Sequence, residues 1–492
     1  MPAASVSRLL GEELRAVLSE IREQMGDPLY LSGGTVRDLL LGRTPVDIDV
    51  TVPFCARRWA RKLCGYTGGT CVQLGREEDA ARVVWRGRDV DFSSFREGAQ
   101  TIREELTKRD ITINSLAIPL DPLLRSGAAA GQLEVIDPVG GLADLDAARI
   151  RMTSPAAFKS DPLRLLRVFR FAAALGFEIE KKTRQLAEKL GALISRPAPE
   201  RVAYELNLIM ETERAWQVMS DLARCGILFH VLPELGEGVG MEQPASHHLD
   251  VFDHSMAALH WMVRIQNDVG RYFPAREEEM TRYLSGHRRR LRLRWAALFH
   301  DLGKPATAGV NEEKGGRITF YNHDRAGARM VETLGRRLKW SNSDRNAVAA
   351  LIGMHMRPFF LCNVMRSGEL TLKASLRLVR LAGSELPGLF MLAMADSLAG
   401  KGAERPEEME REVAALYERL AAVRDEYVEP VRSGPPLVTG RDLIEELCLE
   451  PGPIFRRILE TVEEAQMEKK VTTREEAMAL ARQYIENSGM EQ

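Results

Sequence analysis

The sequence has few cysteines, and none of them forms a CxxC pair: the six lie at positions 55, 64, 71, 225, 362 and 448. This spacing argues against a zinc ribbon and against a disulfide framework, and it fits a reducing cytosol. No run of eighteen apolar residues occurs, and the N-terminal segment MPAASVSRLLGEELRAVL has an amphipathic pattern with acids, without the apolar core of a signal peptide. We therefore expect a cytoplasmic protein with no membrane partner.

An excess of charge of one sign is also missing. Sixty-eight Lys plus Arg against seventy Asp plus Glu give a net charge of −2, so no global basic field indicates a nucleic-acid partner. Any RNA site must therefore be a local patch. Arginines cluster at positions 288, 289, 290, 292 and 294, and at 164, 167 and 170, and each cluster alone could equally be a solvated helix face.

Histidine is absent from the first 229 residues, because all nine histidines lie at or after His230. Whatever chemistry the N-terminal part performs, it does so without imidazole.

The sequence has no fixed-period repeat and no low-complexity tract. At 492 residues the chain is too long for one hydrophobic core, and a prior of roughly 100–200 residues per domain suggests three or four domains.

The pattern of apolar residues divides the chain. Short β-rich runs fall at 30–32, 47–52, 81–85, 90–95 and 111–118, whereas apolar residues three and four apart predict helices over 161–175, 182–193 and 201–213. These patterns predict an α/β head followed by mostly helical domains. Gly and Pro clusters at 236–240 and 433–436 mark later boundaries. We predict a head over 1–150, a helical neck over 151–235, a histidine-rich domain over 236–430 and a helical tail over 431–492.

The first candidate site lies in the head. Gly33 and Gly34 stand between a predicted strand and a predicted helix, where backbone N–H groups can approach a triphosphate closely, although a Gly pair alone is more often a plain turn. Asp47 and Asp49 alternate on the next strand and so project from one face. Two adjacent carboxylates cost energy without a cation between them, and Mg²⁺ favours a few carboxylates plus substrate phosphates. The segment predicts a two-metal phosphoryl-transfer site.

The stretch GGTVRDLLLG followed by DIDV, and then KRDITINSLA at 108–117, resembles the class II tRNA nucleotidyltransferase and bacterial poly(A) polymerase family. The resemblance implies a polymerase-β-like head that adds nucleotides to RNA without a template, with tRNA, CTP and possibly ATP as partners. It implies Mg²⁺ at Asp47 and Asp49, with Asp91 as a further acidic residue near the metals. The motif residues implied to bind the nucleotide are Gly33, Gly34, Arg37, Arg109, Asp110 and Asn114.

A further segment, SDPLRLLRVFRFAA at 160–173, resembles the helix with which that family recognises the Watson–Crick edge of the incoming base. The recognising pair is Asp161 and Arg164, which at i and i+3 can project to one face of a helix, although a surface ion pair would have the same spacing. Arg167 and Arg170 continue the series and are also expected to bind the nucleotide. Ser160 stands where the family usually has Glu, which leaves the details of base discrimination open.

The second candidate site lies in the histidine-rich domain. His254, His300-Asp301, His323, His355 and Asp396 follow one another in the order H…HD…H…H…D, which resembles the HD phosphohydrolase superfamily. Imidazole and carboxylate ligands on helices suit a transition metal such as Mn, Ni, Fe or Co, and an adjacent His and Asp allow one residue to bridge two ions. We predict metal binding here, together with phosphatase or phosphodiesterase activity through a metal-bound water.

The product of the head depends on a loop. In CCA-adding relatives a flexible loop precedes the KRDITINSLA-type motif and is needed for the switch from C to A. Only thirteen residues, 96–108, occupy that place here, and their second half has a helical pattern. The chain therefore resembles the loop-deficient CC-adding branch. Full CCA addition, A addition and poly(A) synthesis are the alternatives, and an RNA-binding HD phosphohydrolase with an inactive head is the alternative of another class.

Overall fold

The computed structural model of the protein describes residues 1–75, 79–126, 131–314 and 316–487. The chain divides into two compact units, Met1–Pro233 and Glu234–Gln492. The first unit combines a mixed sheet with helices, and the described residues of the second are mostly helical. The predicted fold class, an α/β head followed by helical domains, is confirmed.

The sheet-containing part of the first unit alternates strands with short helices. Its elements are α1 (Ala3–Met25), β1 (Tyr30–Ser32), α2 (Gly33–Leu40), β2 (Asp47–Val52), α3 (Ala56–Thr67), β3 (Thr70–Gln73), β4 (Ala80–Trp85), β5 (Arg88–Ser94), α4 (Ile102–Thr107), β6 (Ala117–Pro119), α5 (Asp121–Ser126), α6 (Gly141–Asp146) and β7 (Arg149–Ile150).

Six of these strands form one sheet in the order β3-β4-β5-β2-β1-β6. Strands β2 and β5 run parallel and place Asp49 opposite Asp91, while β4 is antiparallel to β5 and places Arg82 opposite Asp91 as well. Helix α3 packs on β4 and β5, where the rings of Trp59 and Phe92 stack at 6.5 Å. One face of the sheet is therefore apolar, and the other carries charged side chains from three adjacent strands.

The run at 111–118 was predicted as one strand, and this prediction is wrong for most of its length. Thr112–Asn114 forms a 3₁₀ turn, and only Ala117–Pro119 is a strand. The cause is local: Ser115 Oγ donates to the backbone carbonyl of Ile111 at 2.9 Å. Such side-chain-to-backbone bonds stabilise a turn in competition with a strand.

The rest of the first unit is helical. Its elements are α7 (Ala157–Ser160), α8 (Arg164–Leu175), β8 (Glu178–Ile179), α9 (Lys181–Leu190), α10 (Pro199–Met210), α11 (Ala215–Arg224) and α12 (Ile227–Val231). The expectation that Asp161 and Arg164 share one helix is wrong, because α8 begins at Arg164 and Asp161 is extended, with φ −138° and ψ 98°. Pro162 explains the difference, since the residue before a proline is disfavoured in the α conformation.

The second unit begins within α13 (Pro233–Gly236) and continues as a helical array with one short hairpin. Its elements are α14 (Val251–Asn267), α15 (Val269–Tyr272), α16 (Glu277–Leu284), α17 (Arg289–Phe299), β9 (Gly309–Asn311), β10 (Arg317–Thr319), α18 (His323–Arg337), α19 (Asn342–Met354), α20 (Arg357–Ser367), α21 (Leu372–Ala382), α22 (Leu386–Ala399), α23 (Met409–Val423), α24 (Glu429–Ser433), α25 (Gly440–Glu445), α26 (Pro453–Met467) and α27 (Arg474–Asn487).

Helix α22 lies at the centre of this unit and packs against α14, α17 and α23. The last three helices have an apolar cluster of their own, which includes Leu443, Ile458, Val462 and Ala477. By length and composition alone, the segments Asn342–Ser367 and Leu372–Ala399 could each cross a membrane, but the apolar window of the second is 72% buried inside the unit. A core helix of a folded domain meets the same criteria.

Candidate functional site

The head contains an open cavity of about 960 Å³. Its lining comes from the start of α2, strand β2, the start of β4, the end of β5 with the loop that follows it, the turn after α4, α8 with the turn before it, and α10. These segments bring together twelve residues that the sequence predicted for metal or nucleotide binding, namely Gly33, Gly34, Arg37, Asp47, Asp49, Arg109, Asp110, Asn114, Asp161, Arg164, Arg167 and Arg170.

Asp47 and Asp49 face this cavity because they alternate on β2 with the buried Ile48 and Val50. Their carboxylate oxygens are hard ligands that suit a small divalent cation such as Mg²⁺. Burial raises the pKa of both carboxyl groups above the usual value, and neighbouring carboxylates add to the shift. A cation bound between these groups would relieve that repulsion, so the donor set fits the metal.

Thr35 and Gly33 position Asp49. The Thr35 hydroxyl accepts a hydrogen bond from the Asp49 backbone N–H at 2.7 Å, and the Thr35 backbone N–H lies 3.4 Å from Asp49 Oδ2. Gly33 has φ +65°, and a Cβ there would lie 3.1 Å from Asp49 Oδ2 and 2.8 Å from Arg109 Nη1. Glycine is therefore required at position 33 both by the backbone conformation and by the space.

Arg82 on β4 contacts three carboxylates, two on the adjacent strand β5 and one on β2, the strand beyond it. Its guanidinium binds both oxygens of Asp91 at 2.7 Å, Asp89 Oδ2 at 2.7 Å and Asp47 Oδ2 at 3.0 Å. Asp91, predicted as a third acidic residue of the metal site, thus lies beside Asp49 on the neighbouring strand and is bound by Arg82. Sequence reasoning missed Arg82 and Asp89, although a charged residue inside the apolar run AARVVW was a signal.

Arg109 lies in the floor of the cavity. Its side chain is buried and donates to Ser32 Oγ at 3.0 Å, to Thr51 Oγ1 at 3.0 Å and to the carbonyl of Asn114 at 3.3 Å. It therefore ties β1 and β2 to the turn that follows α4. Burial lowers the pKa of Arg109 from its usual value.

Asp110 and Arg167 form an ion pair between this turn and α8, in which Asp110 is buried and the Arg167 side chain is 33% exposed. Arg167 Nε donates to Asp110 Oδ2 at 2.8 Å, and Arg167 Nη1 lies 3.5 Å from Glu205 of α10. The same Glu205 lies 2.7 Å from Arg170 Nε. Burial disfavours the charged Asp110, but Arg167 outweighs it and holds the pKa of Asp110 well below its usual range. Arg170 stacks on the Phe171 ring at 4.1 Å. The network fixes the helix that carries the predicted base-recognising arginine.

Asp161 and Arg164 line the same cavity although they do not share a helix. Asp161 Oδ2 accepts from Arg201 Nη2 at 3.1 Å, and Asp161 Oδ1 accepts from the Leu163 backbone N–H at 3.2 Å. Arg164 is buried, and its Nη1 lies 3.5 Å from Ser160 Oγ. The cavity lining thus contains one carboxylate and one guanidinium from the same segment of the chain. Arg201, which contacts the carboxylate, was not predicted from the sequence.

The short connection before Arg109 is packed onto the sheet. Its second half forms α4, as predicted, and Ile102 and Leu106 of α4 join an apolar cluster with Ala117. Lys108 Nζ donates to the carbonyl of Glu97 at 2.6 Å and closes the loop that precedes the helix. The helical second half is therefore held by buried side chains, and hydrogen bonds at Arg96 and Glu97 tie the more exposed first half to it.

The second unit brings the six predicted HD residues into one buried cluster. They are supplied by α14, the end of α17, the start of α18, the end of α19 and the last turn of α22, and all are 9% exposed or less: His254, His300, Asp301, His323, His355 and Asp396. Buried charges and imidazoles concentrated in this way require mutual pairing or a cation.

Asp301 lies at the middle of the cluster. Its Oδ2 is 3.2 Å from His300 Nε2 and 3.5 Å from His254 Nε2, whereas its Oδ1 is 3.4 Å from His323 Nε2 and 3.9 Å from His355 Nε2. The two oxygens of one carboxylate therefore face two different histidine pairs. With this placement, each oxygen of Asp301 would be available to a separate metal ion.

The histidine rings are oriented by the backbone. The Nδ1 atoms of His300, His323 and His355 lie 2.9, 2.8 and 2.7 Å from the carbonyl oxygens of Ala297, Phe320 and Ile352, which fixes the Nδ1–H tautomer. When the imidazoles are neutral, as they must be to bind a metal, each Nε2 lone pair points into the cluster. Burial disfavours charged His300, but Asp301 and Asp396 outweigh it and raise the pKa of His300 to about 10. The donor set fits a transition metal.

The cluster opens into a cavity of about 690 Å³. Its lining combines cationic, aromatic and imidazole side chains, among them Lys304, Phe320, Phe360 and His247. Lys304 Nζ contacts Asp301 Oδ2 at 2.6 Å, and His247 packs edge-on against His254 with ring centroids 4.8 Å apart. His247 was given no role from the sequence, and its proximity to the cluster is visible only in the folded unit.

The sequence matches four families in succession. They are the poly A polymerase head domain at 29–151, the "Probable RNA and SrmB-binding site of polymerase A" at 176–237, the HD domain at 251–384 and tRNA nucleotidyltransferase domain 2 at 405–481. An A-adding tRNA nucleotidyltransferase of Deinococcus radiodurans is 32% identical over 471 residues, which cover 93% of this chain and 96% of that protein. The chain belongs to the tRNA nucleotidyltransferase family.

Relatives of this tRNA nucleotidyltransferase differ in product. A CC-adding enzyme of Thermus thermophilus is also 32% identical, over 457 residues that cover 91% of both chains. A solved structure of a CCA-adding enzyme in complex with CTP matches the fold with a TM-score of 0.61, at 20% identity, and covers 98% of both chains. The predicted family membership and the activity class, RNA nucleotidyl transfer, are confirmed by these comparisons.

Proposed function

We propose that the enzyme adds two C residues to a tRNA that ends at its discriminator base. The observation that carries this proposal is the short connection at 96–108, in which Ile102 and Leu106 are buried and Lys108 is bonded to the backbone. A segment packed in this way has little freedom to move between a C-specific and an A-specific arrangement. We further propose a cytoplasmic location and the assignment of the chemistry to residues 1–150.

Different residues of the cavity would bind the metal, the phosphates and the base. Asp47 and Asp49 would hold Mg²⁺, which when bound activates the 3′-hydroxyl and neutralises the phosphates. Arg164 and Arg167 line the same cavity and would place positive charge beside the nucleotide. The Asp161 carboxylate accepts and the Arg164 guanidinium donates, a pairing that matches the amino group and ring nitrogen on the Watson–Crick edges of cytosine and adenine. Uracil and guanine present a carbonyl acceptor and a ring N–H donor at these two positions, which is the reverse order of donor and acceptor.

A primer series tests the product. Purified enzyme is given tRNA that ends at the discriminator base, tRNA that ends in CC, or complete tRNA, with each NTP alone and with CTP plus ATP together. We expect addition of two C residues to the first substrate and poor A addition to the second. Completion of CCA contradicts the CC-only proposal, extension of complete tRNA by ATP indicates poly(A) synthesis, and no incorporation at all supports the inactive-head alternative.

A addition is the second candidate product, because the Deinococcus radiodurans protein described above is an A-adding enzyme. In the primer series this candidate predicts one A on tRNA that ends in CC and no C on tRNA that ends at the discriminator base. These two substrates separate the two candidates.

Base choice supplies a further prediction. We expect Asp161→Ala and Arg164→Ala to reduce the preference for CTP over UTP by about 5- to 150-fold, because each leaves a base atom without its partner at a cost of about 1–3 kcal/mol. The measurement is kcat/KM for each NTP on the preferred primer. Arg184→Ala, which breaks the Arg184–Asp221 pair elsewhere in the same unit, is the matched control and should retain the preference. Unchanged UTP and GTP misincorporation in both cavity variants contradicts the base-recognition role.

We also propose that the Asp301-centred cluster binds transition metal and hydrolyses phosphomonoesters or 2′,3′-cyclic phosphates. The supporting observation is that the two Asp301 oxygens face separate histidine pairs at 3.2–3.9 Å. Lys304 lies within the same cavity and can contact a phosphate oxygen.

A further inference from the structure

Arg82 lies among three carboxylates, one of which lines the head cavity. Four carboxylate oxygens, two of Asp91 and one each of Asp89 and Asp47, lie within 3.0 Å of its guanidinium nitrogens. The three carboxylates carry three negative charges and Arg82 carries one positive charge, so two negative charges remain. That remainder equals the charge of one divalent ion. These four side chains therefore carry a net charge of −2, which a divalent cation at Asp47 would neutralise.

The contacts of Arg82 are unequal. The bond to Asp91 uses both carboxylate oxygens at 2.7 Å, the strong two-point geometry of a guanidinium with a carboxylate, and Asp91 is 19% exposed. The bond to Asp47 is a single contact at 3.0 Å, and Asp47 is 35% exposed. Asp47 is thus the partner that Arg82 can release most readily. Among the described residues that line the cavity, Asp47 is the only one of these three carboxylates.

We propose that Arg82 competes with the divalent cation for Asp47 and so sets the cation affinity of the nucleotidyltransferase site. The inference rests on the proposed cation site at Asp47 and Asp49. In this arrangement Arg82 remains on Asp91 and Asp89 when Asp47 turns to the cation. Arg82 is a positioning residue: it fixes β4 and β5 beside the site and offers Asp47 an alternative partner until the cation binds.

The test measures Mn²⁺ binding in the absence of nucleotide, with electron paramagnetic resonance of the free ion as the readout. The parent protein for this test carries His300→Ala and Asp301→Ala, so that the HD cluster does not contribute, and every variant is made in that background. Arg82→Gln is expected to bind Mn²⁺ on the order of tenfold more tightly, because it removes a positive charge a few ångströms from the ion. Arg82→Lys keeps the charge, and its affinity should stay within about threefold of the parent protein.

Two controls separate the possible outcomes. Arg86→Gln removes a positive charge just beyond the end of β4, where the side chain is 67% exposed, and should leave the Mn²⁺ affinity unchanged. Asp49→Asn should abolish binding in every background. If the parent protein binds Mn²⁺ through Asp49 but Arg82→Gln binds equally or more weakly, Arg82 is only a structural ion pair and the inference is wrong. If neither protein binds Mn²⁺, the proposed cation site is wrong and the inference falls with it.

Discussion

Asp49→Asn is expected to lower nucleotide addition by about 10³-fold or more, because loss of a metal-binding carboxylate removes several kcal/mol of transition-state stabilisation. Asparagine has nearly the shape of aspartate and can keep the contacts with Thr35, so the fold should be retained. Asp47→Asn should have an effect of the same order. Single-turnover incorporation of labelled CMP into tRNA measures the loss directly.

The control for this prediction is Asp121→Asn. Asp121 also pairs with an arginine in the head, Arg22 of α1, at 2.8 Å, so its replacement removes a carboxylate of similar exposure without touching β2. Incorporation by this variant should remain close to that of the wild type. Substantial incorporation by both β2 variants would show that the two carboxylates do not hold the catalytic metal.

Asp301→Ala is expected to remove nearly all transition metal from the purified protein, because this carboxylate faces both histidine pairs. His355→Ala acts on one pair only, so it should lose about half of the bound metal, as expected for a bridged two-ion site. Metal content measured by inductively coupled plasma mass spectrometry distinguishes the two results. Nucleotide addition by both variants should be unchanged, because the head cavity is built from residues of the first unit alone.

His287→Ala is the matched control, since His287 is an exposed histidine of the same unit. It should retain the metal content of the wild type. Hydrolysis of a 2′,3′-cyclic nucleotide on the same preparations then tests the proposed second activity: it should follow metal content across the series. Equal metal in wild type and Asp301→Ala would exclude the cluster as the binding site.

Local sequence patterns predicted the elements that carry the head chemistry. The alternation of Asp47 and Asp49 with Ile48 and Val50 identified β2 and the face that bears the carboxylates. Prediction failed where local side chains redirect the backbone. Pro162 keeps Asp161 out of α8, and the Ser115 hydroxyl favours a turn over a strand.

The sequence by itself determined which groups are present and in what order: the carboxylate pair on β2, the arginine series of α8, and the succession of histidines and aspartates in the second unit. The tertiary structure alone decided that Arg82 binds Asp47 and that Asp301 faces two histidine pairs. The physical reason is that periodicity records which face a side chain takes within its own element. The pairing of charges on different strands and helices depends instead on strand order and helix packing, which bring distant residues within hydrogen-bonding distance.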